Sequence, residues 1–292
     1  MPVFRPECLD EAFEALERSP EAQLLAGGTD FMVEVNAGLR RPTSVLCLGG
    51  VAEIAGWHHD DGHVVLGAGL NYTEMLSPDL ARLIPGLARA ARTVGSPQIR
   101  NAGTIGGNLG TASPAGDTLP VLAALDADIV VGHAGGTRRT VPIGELIVGP
   151  KRTSLEPGEI ILEVRVPAEF GRQDFLKVGT RNAMVIAVAS VAVVVDWIGR
   201  GVRVALGSAG PVVIRANEAE ALAASRIDWD ERRLVAGEGG LDDFVALVRS
   251  AARPIDDHRS TAEYRRHAVG VCAERALGRA FSTESRQEET WS

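Results

Sequence analysis

Cysteine is scarce in this chain of 292 residues: Cys8, Cys47 and Cys272 lie far apart, and no C-x-x-C occurs. That spacing argues against a disulfide framework, a zinc ribbon or a cysteine-ligated iron–sulfur cluster within the chain. Lysine is scarcer still. Only Lys151 and Lys177 stand among the 30 basic residues, the rest being arginine, so a compact ammonium has been kept at two places alone. Aromatic residues make up 4%, which leaves a partner surface to aliphatic side chains and arginine anchors. Basic charge is also outweighed, 30 against 38 acidic residues for a net −8. Such a chain is poorly suited to wrapping nucleic acid or an anionic membrane. Met1 to Leu16 has no apolar h-region, so no signal peptide is readable. The longest apolar run, Met184 to Trp197, is shorter than the roughly 20 residues of a bilayer span. The expectation is a cytoplasmic protein with no membrane insertion.

What is present is a chain long enough for two domains with a full core. A helix is expected over residues 10–18, capped by Asp10. A strand over Gln23 to Ala26 runs into Gly27-Gly28-Thr29-Asp30, and a helix follows over Phe31 to Ala37, ended by Gly38. Ser44 to Leu48 reads as a strand. Trp57 to Gly69 reads as a hairpin turning at Asp60-Asp61-Gly62. Asn71 can cap a helix over Tyr72 to Leu76, and another follows Pro85. Gly95 to Asp117 then carries six glycines and almost no periodicity; it reads as a long functional loop. A helix over Thr118 to Leu125 and strands at Asp128 to Gly132, Arg138 to Val141 and Glu159 to Val166 follow. The second part reads as a meander of three strands, Phe175 to Arg181, Met184 to Trp197 and Gly201 to Leu206. Helices come after it over Ala216 to Ala224, Asp242 to Ala252 and Thr261 to Ala280. Strands and helices in blocks define an α+β class. The domains are expected at 1–174 and 175–281, with a frayed polar tail at 282–292.

Two glycine pairs stand out: Ala26-Gly27-Gly28-Thr29-Asp30 and Thr104-Ile105-Gly106-Gly107-Asn108. Glycine lets the backbone approach an anion closely, and successive N–H groups can form an anion-binding nest. The helix after Asp30 would add its positive end, and Thr29 and Asn108 offer neutral donors. Two such loops could hold the two phosphates of a dinucleotide without cationic side chains. Read alone, each pair is equally a tight turn. No G-x-G-x-x-G occurs, and Pro150 breaks the Walker spacing of Gly144 to Gly149.

Leu24-Leu25-Ala26-Gly27-Gly28-Thr29-Asp30 and Gly103-Thr104-Ile105-Gly106-Gly107-Asn108 resemble the two FAD-pyrophosphate motifs of molybdenum hydroxylase flavoproteins. This is the family of the carbon monoxide dehydrogenase medium subunit and the xanthine dehydrogenase FAD subunit. The resemblance continues in order through Ala112 to Asp117, Pro157 to Ile161, Lys177 to Arg181, Asp257 to Ser260 and Tyr264 to Arg266. It implies a two-part FAD-binding domain of the vanillyl-alcohol oxidase (PCMH-type) superfamily and a smaller C-terminal domain of antiparallel sheet plus helices. It implies that Leu24, Leu25, Ala26, Gly27, Gly28, Thr29, Asp30, Phe31, Thr104, Ile105, Gly106, Gly107 and Asn108 contact the pyrophosphate and ribityl chain of FAD. Val94 would lie beside the cofactor, Asp117 and Lys177 would reach it, and Ile161 would contact the adenine end. The resemblance further implies a large molybdopterin-binding subunit and a small [2Fe–2S] subunit, assembled as a dimer of heterotrimers. Electrons would pass from the clusters through FAD to an external acceptor. Leu146-Ile147 and Met184 depart from the family pattern, which often has Phe-Phe and an acidic residue there.

Other readings of the residues stay open at this point. One is a stand-alone FAD-dependent oxidoreductase of the same superfamily; another is a non-catalytic binding module whose glycine pairs are only turns. His58, His59 and His63 read as a solvated hairpin tip rather than a metal site. Asp256-Asp257-His258 reads as a helix cap. Ser96 and Ser113 have no neighbouring His, so a hydrolase triad is unsupported. No catalytic residue and no metal ligand is assigned.

Overall fold

The computed structural model describes residues 1–168, 171–235 and 240–281. The polar tail expected from Ser282 lies outside the described residues.

A small parallel sheet opens the chain. Its strands β1 (Val3–Phe4), β2 (Gln23–Leu25) and β3 (Val45–Cys47) take the order β1-β3-β2. Helix α1 (Leu9–Arg18) buries Leu9, Ala12, Phe13 and Leu16 on one face, the i, i+3, i+4, i+7 spacing of an amphipathic helix. Cys8, not Asp10, stands at its N-cap position. Glu53 accepts from the Leu9 N–H at 2.9 Å instead, and Glu11 of the helix itself accepts from the preceding Glu7 N–H at 2.8 Å. Helix α2 (Phe31–Asn36) follows β2, and Gly38, at φ +72°, lies just past its end.

The second sheet is antiparallel and five-stranded. It contains β4 (Trp57–Asp60), β5 (His63–Gly67), β6 (Asp128–Gly132) and β7 (Arg138–Pro142). The short hairpin of β8 (Ile147–Gly149) and β9 (Arg152–Thr153) precedes its central strand β10 (Ile160–Pro167), and the order is β4-β5-β10-β6-β7. The hairpin turn falls at Asp61-Gly62, as the sequence predicts. Asn71 and Glu74 cap each other, side chain to backbone, at 2.9 Å in both directions, starting a short turn of 3-10 helix. Helices α3 (Pro78–Leu83) and α4 (Pro85–Thr93) each begin at a proline, where the missing N–H costs nothing.

The stretch from Gly95 to Asp117 is not the structureless loop expected. It holds α5 (Pro97–Ala102) and α6 (Ile105–Thr111). Both are set by caps: Ser96 accepts from the Ile99 N–H, and Thr104 from the Gly107 N–H. Helix α5 buries no residue and α6 buries only Ile105 and Leu109, so neither leaves a periodic apolar trace in the sequence. Helix α7 (Thr118–Ala124) is buried along its length. The one-turn α8 (Ile143–Leu146) completes this half; Leu146 and Ile147 are buried in its core.

The last sheet is a meander of β11 (Arg172–Val178), β12 (Ala189–Asp196), β13 (Gly201–Gly207) and β14 (Ile214–Arg215). The strand expected from Met184 begins only at Ala189. Met184 itself has φ +50°, and the Arg181 guanidinium donates to the carbonyls of Ala183 and Met184, folding this stretch into a loop. Strand β12 explains its own unbroken apolar run, because it is a wall between two cores. Ala192 and Val194 face the core of the first two sheets. Val191, Val193 and Val195 face a second core with α9 (Asn217–Ser225), α10 (Asp242–Ala251) and α11 (Ala262–Phe281). Each fully buried valine contributes about 1.5–3 kcal/mol, so both faces are held.

The C-terminal motif is structural. Arg265, at 5% exposure, donates to the Val188 carbonyl at 2.6 Å and to Asp257 at 2.7 Å, tying α11 to the start of β12. Asp256 accepts from the Ala262 N–H at 2.5 Å, so the capping expectation holds.

Candidate dinucleotide-binding site

Between the small parallel sheet and the five-stranded sheet lies a cleft of about 660 Å³, the size of a site for an organic cofactor. Both glycine pairs line it. Of the residues expected at the site, Leu24, Ala26, Gly27, Gly28, Thr29, Asp30, Phe31, Thr104, Gly106, Gly107, Asn108 and Ile161 do so. Leu25, Val94, Ile105, Asp117 and Lys177 are not among the lining residues. Leu25 belongs to the parallel sheet. Ile105 is fully buried. Val94 is packed against the core, and its carbonyl accepts from Arg100 at 3.1 Å.

The two motifs are built differently. In the first, the six backbone N–H groups from Ala26 to Phe31 have no protein acceptor among the described residues. Gly28 adopts φ +72°, a left-handed conformation that side chains resist. Gly27 permits close approach: an ideal Cβ there would lie 1.8 Å from the Ala102 carbonyl oxygen. The loop is thus pressed against the end of α5.

In the second motif the N–H groups are already taken. Ile105 donates to the Leu70 carbonyl at 2.9 Å, Gly106 to Ala68 at 2.8 Å and Asn108 to Thr104 at 3.0 Å. The Gly107 N–H donates to the Thr104 hydroxyl at 3.0 Å. The expected nest at Gly106-Gly107 is therefore absent. Gly106 is glycine because a Cβ there would lie 2.7 Å from the Ala68 side chain. Asn108 is oriented by Thr118, whose hydroxyl donates to its side-chain oxygen at 2.5 Å.

Asp117 and Lys177 find each other. The Lys177 ammonium lies 2.5 Å from Asp117 Oδ2, with 6% and 7% of the two side chains exposed. It also reaches the Thr93 carbonyl at 3.2 Å. Burial pushes the Asp117 carboxyl upward, while Lys177 and the Thr93 hydroxyl offset part of that rise. Asp117 Oδ1 is buried with no hydrogen-bond partner among the described residues. Tyr72 lines the cleft and is 5% exposed. Its phenol is pushed up by burial and by the charges of Asp117 and Asp30, so it stays neutral.

Among the lining residues that the sequence reading did not assign to the site are Glu34, Arg40, Tyr72 and Lys151. The rarity of lysine was a usable signal for Lys151, since both lysines of the chain stand at or beside the cleft. Glu34 carries a carboxyl held below its usual range, chiefly by its hydrogen bond to Lys151, with burial opposing and Arg40 assisting. Among the described residues no cluster of three or more His, Cys, Asp or Glu side chains could hold a metal ion. No described helix is long and apolar enough to cross a membrane.

A cleft of this size with a run of free backbone donors fits a dinucleotide-binding protein. Comparison with known proteins identifies the class more closely. Residues 1–169 match the FAD binding domain in molybdopterin dehydrogenase, and residues 174–280 match the CO dehydrogenase flavoprotein C-terminal domain. The chain is 31% identical over 281 residues to the glyceraldehyde dehydrogenase medium chain of Sulfolobus acidocaldarius, covering 94% of this chain and 95% of that one. It is 29% identical over 283 residues to the carbon monoxide dehydrogenase medium chain of Hydrogenophaga pseudoflava, covering 95% and 96%. Its fold superposes on a solved CO dehydrogenase chain from Oligotropha carboxidovorans with a TM-score of 0.85 at 27% identity, covering 96% and 97%. The chain belongs to the family of FAD-binding flavoproteins of the molybdenum hydroxylases, a family of oxidoreductases with the two-part architecture of the CO dehydrogenase medium chain. Its cofactor is FAD, and the residues present fit it. The free N–H run suits a diphosphate that the net-neutral set of lining charges (Asp30 and Glu34 against Arg40 and Lys151) would not otherwise attract.

Proposed function

We propose that this chain is the electron-transfer subunit of a molybdenum hydroxylase complex. The observation that carries the reading is the run of six N–H groups, Ala26 to Phe31, without protein acceptors in a cleft of cofactor size. When bound, FAD supplies the capacity to take electrons from [2Fe–2S] clusters of a partner and release them to an external acceptor. The chain's own residues bind and orient. The Ala26 to Phe31 amides hold the diphosphate, and Thr29 and Asn108 add neutral donors. Ile161 packs at the adenine end. Asp117 Oδ1 accepts a hydrogen bond from the cofactor, and Lys177 holds that carboxyl in place. Tyr72 closes the floor of the cleft against water. Leu24, Thr104, Gly106 and Gly107 shape the walls around these groups, while Leu25, Val94 and Ile105 do not line them. No residue of this chain is assigned a proton-transfer step.

The partners in this reading are a large molybdopterin-binding subunit and a small [2Fe–2S] subunit, in a cytoplasmic dimer of heterotrimers. Residues 1–174 form the FAD-binding domain and 175–281 the C-terminal domain. Support comes from relatives named as medium chains and subunits and from a chain with no cysteine spacing for a cluster. Co-expression with the genes adjacent to this one is expected to give a complex that carries molybdenum, iron and FAD through gel filtration. A chain that elutes alone beside those products, and turns over a small substrate with its own flavin, would replace this reading with a stand-alone oxidoreductase.

A further inference from the structure

We infer that Glu34 and Lys151 form a clasp across the cleft that sets how long FAD stays bound. The inference rests on the reading of the cleft as the FAD site. Glu34 stands on α2, directly after the first motif, and Lys151 on the β8–β9 turn; both line the cleft. The Lys151 ammonium donates to Glu34 Oε1. The other carboxylate oxygen accepts from Arg40 Nε at 2.9 Å. Arg40 lies 4.7 Å over the Phe31 ring and reaches the Gln23 side chain at 3.4 Å. Arg40 therefore fixes Glu34 to the first-motif wall, and Lys151 reaches it from the β8–β9 turn.

The turn that presents Lys151 is built against the backbone's preference. Lys151 has φ +55°, its N–H donates to the Ala112 carbonyl at 2.9 Å, and Ala112 has φ +47°. Two non-glycine residues in the left-handed region, joined by a hydrogen bond, persist only where the surroundings enforce them, and such residues gather at ligand clamps. Ala112 ends α6, so the same turn ties the second motif's helix to the clasp. With 58% of the Lys151 side chain and 21% of the Glu34 side chain exposed, the pair is weak and screened by salt. It opens and recloses rather than locking. Glu34 and Lys151 are positioning residues: they hold the walls of the cleft together around the cofactor.

The test is FAD release from the loaded full-length chain, followed by recovery of flavin fluorescence on dilution. Lys151→Met and Glu34→Gln are each expected to raise the release rate about two- to fivefold, the range of a partly exposed ion pair. The double variant should release no faster than the faster single one, because one interaction is lost in all three. Release from the wild type should quicken with added salt, and release from the variants should not. Thermal unfolding of the apo-chains should be unmoved, which separates a clasp from general destabilisation. Unchanged release rates would overturn the clasp. So would faster release with Lys151→Met but slower release with Glu34→Gln, since Lys151 would then be acting on the phosphates directly. A wild-type chain that binds no FAD would overturn the FAD reading itself, a result distinct from either.

Discussion

The two glycine pairs of this chain look alike in sequence and do opposite work. Around Gly27-Gly28 the backbone donors are left unpaired, and the glycines bend the loop into position. Around Gly106-Gly107 each donor is spent within the protein, on Leu70, Ala68, Thr104 and the Thr104 hydroxyl. The first pair is a binding surface. The second is the brace behind it, where glycine serves close packing of α6 against Ala68. Glycine content alone therefore does not mark a phosphate cradle; what matters is whether the N–H groups have been used.

Substitutions can break this comparison, beginning with the largest effect. Lys177→Met leaves the Asp117 carboxyl buried without its charge partner. Breaking such a pair is expected to cost about 3–5 kcal/mol, read as a fall in unfolding free energy in denaturant. A loss below about 1 kcal/mol would mean that the pair is not buried as described. Gly27→Ala puts a methyl group 1.8 Å from a backbone oxygen, and the expected cost is about 3 kcal/mol, at the upper end for overpacking. Chemical denaturation of the apo-chain measures it directly.

The next pair of variants sharpens the contrast. Gly28→Ala has ordinary room for its methyl, 3.4 Å from Leu25, but strains a φ of +72° by about 1 kcal/mol. Its main effect should be on FAD affinity, at least tenfold weaker by fluorescence titration, because the donor run shifts. Thr104→Val removes the α6 cap and should cost about 1 kcal/mol of stability with FAD affinity within about threefold of wild type. If the two variants exchange these behaviours, the roles assigned to the motifs are reversed.

The smallest effect lies away from both loops. Burial raises the Asp257 carboxyl, but the Arg259 and Ser260 N–H groups and Arg265 outweigh it and hold it at about 2. A folded value below the usual unfolded one of about 3.9 stabilises the protein above that value. That contribution is lost as pH falls through about 4 towards 2. Acid unfolding should be shallower in Asp257→Asn across that window, with lower stability at neutral pH and FAD affinity unchanged.

Much of this was legible in the sequence. The Asp61-Gly62 turn, the α1 stripe, the mutual cap at Asn71 and the Val-rich β12 follow from local rules. Both motifs were visible as candidate phosphate loops, and both do line one cleft. The rest was hidden for physical reasons. Helices α5 and α6 bury too little to show a period, so only their caps announce them. Met184 to Val188 has strand composition, yet a left-handed residue and an arginine carbonyl clamp turn it into a loop. Donor use at Ile105 and Gly106 depends on Leu70 and Ala68, far earlier in the chain, which no local pattern encodes. Glu34 and Lys151, 117 residues apart, are joined only by the fold.

Amide hydrogen exchange on the full chain, with and without FAD, tests the central claim most directly. The account predicts that FAD adds protection across Ala26 to Phe31. Ile105 to Asn108 should already be protected in the apo-chain and change little. Protection gained at Ile105 to Asn108, with none gained at Ala26 to Phe31, would contradict it.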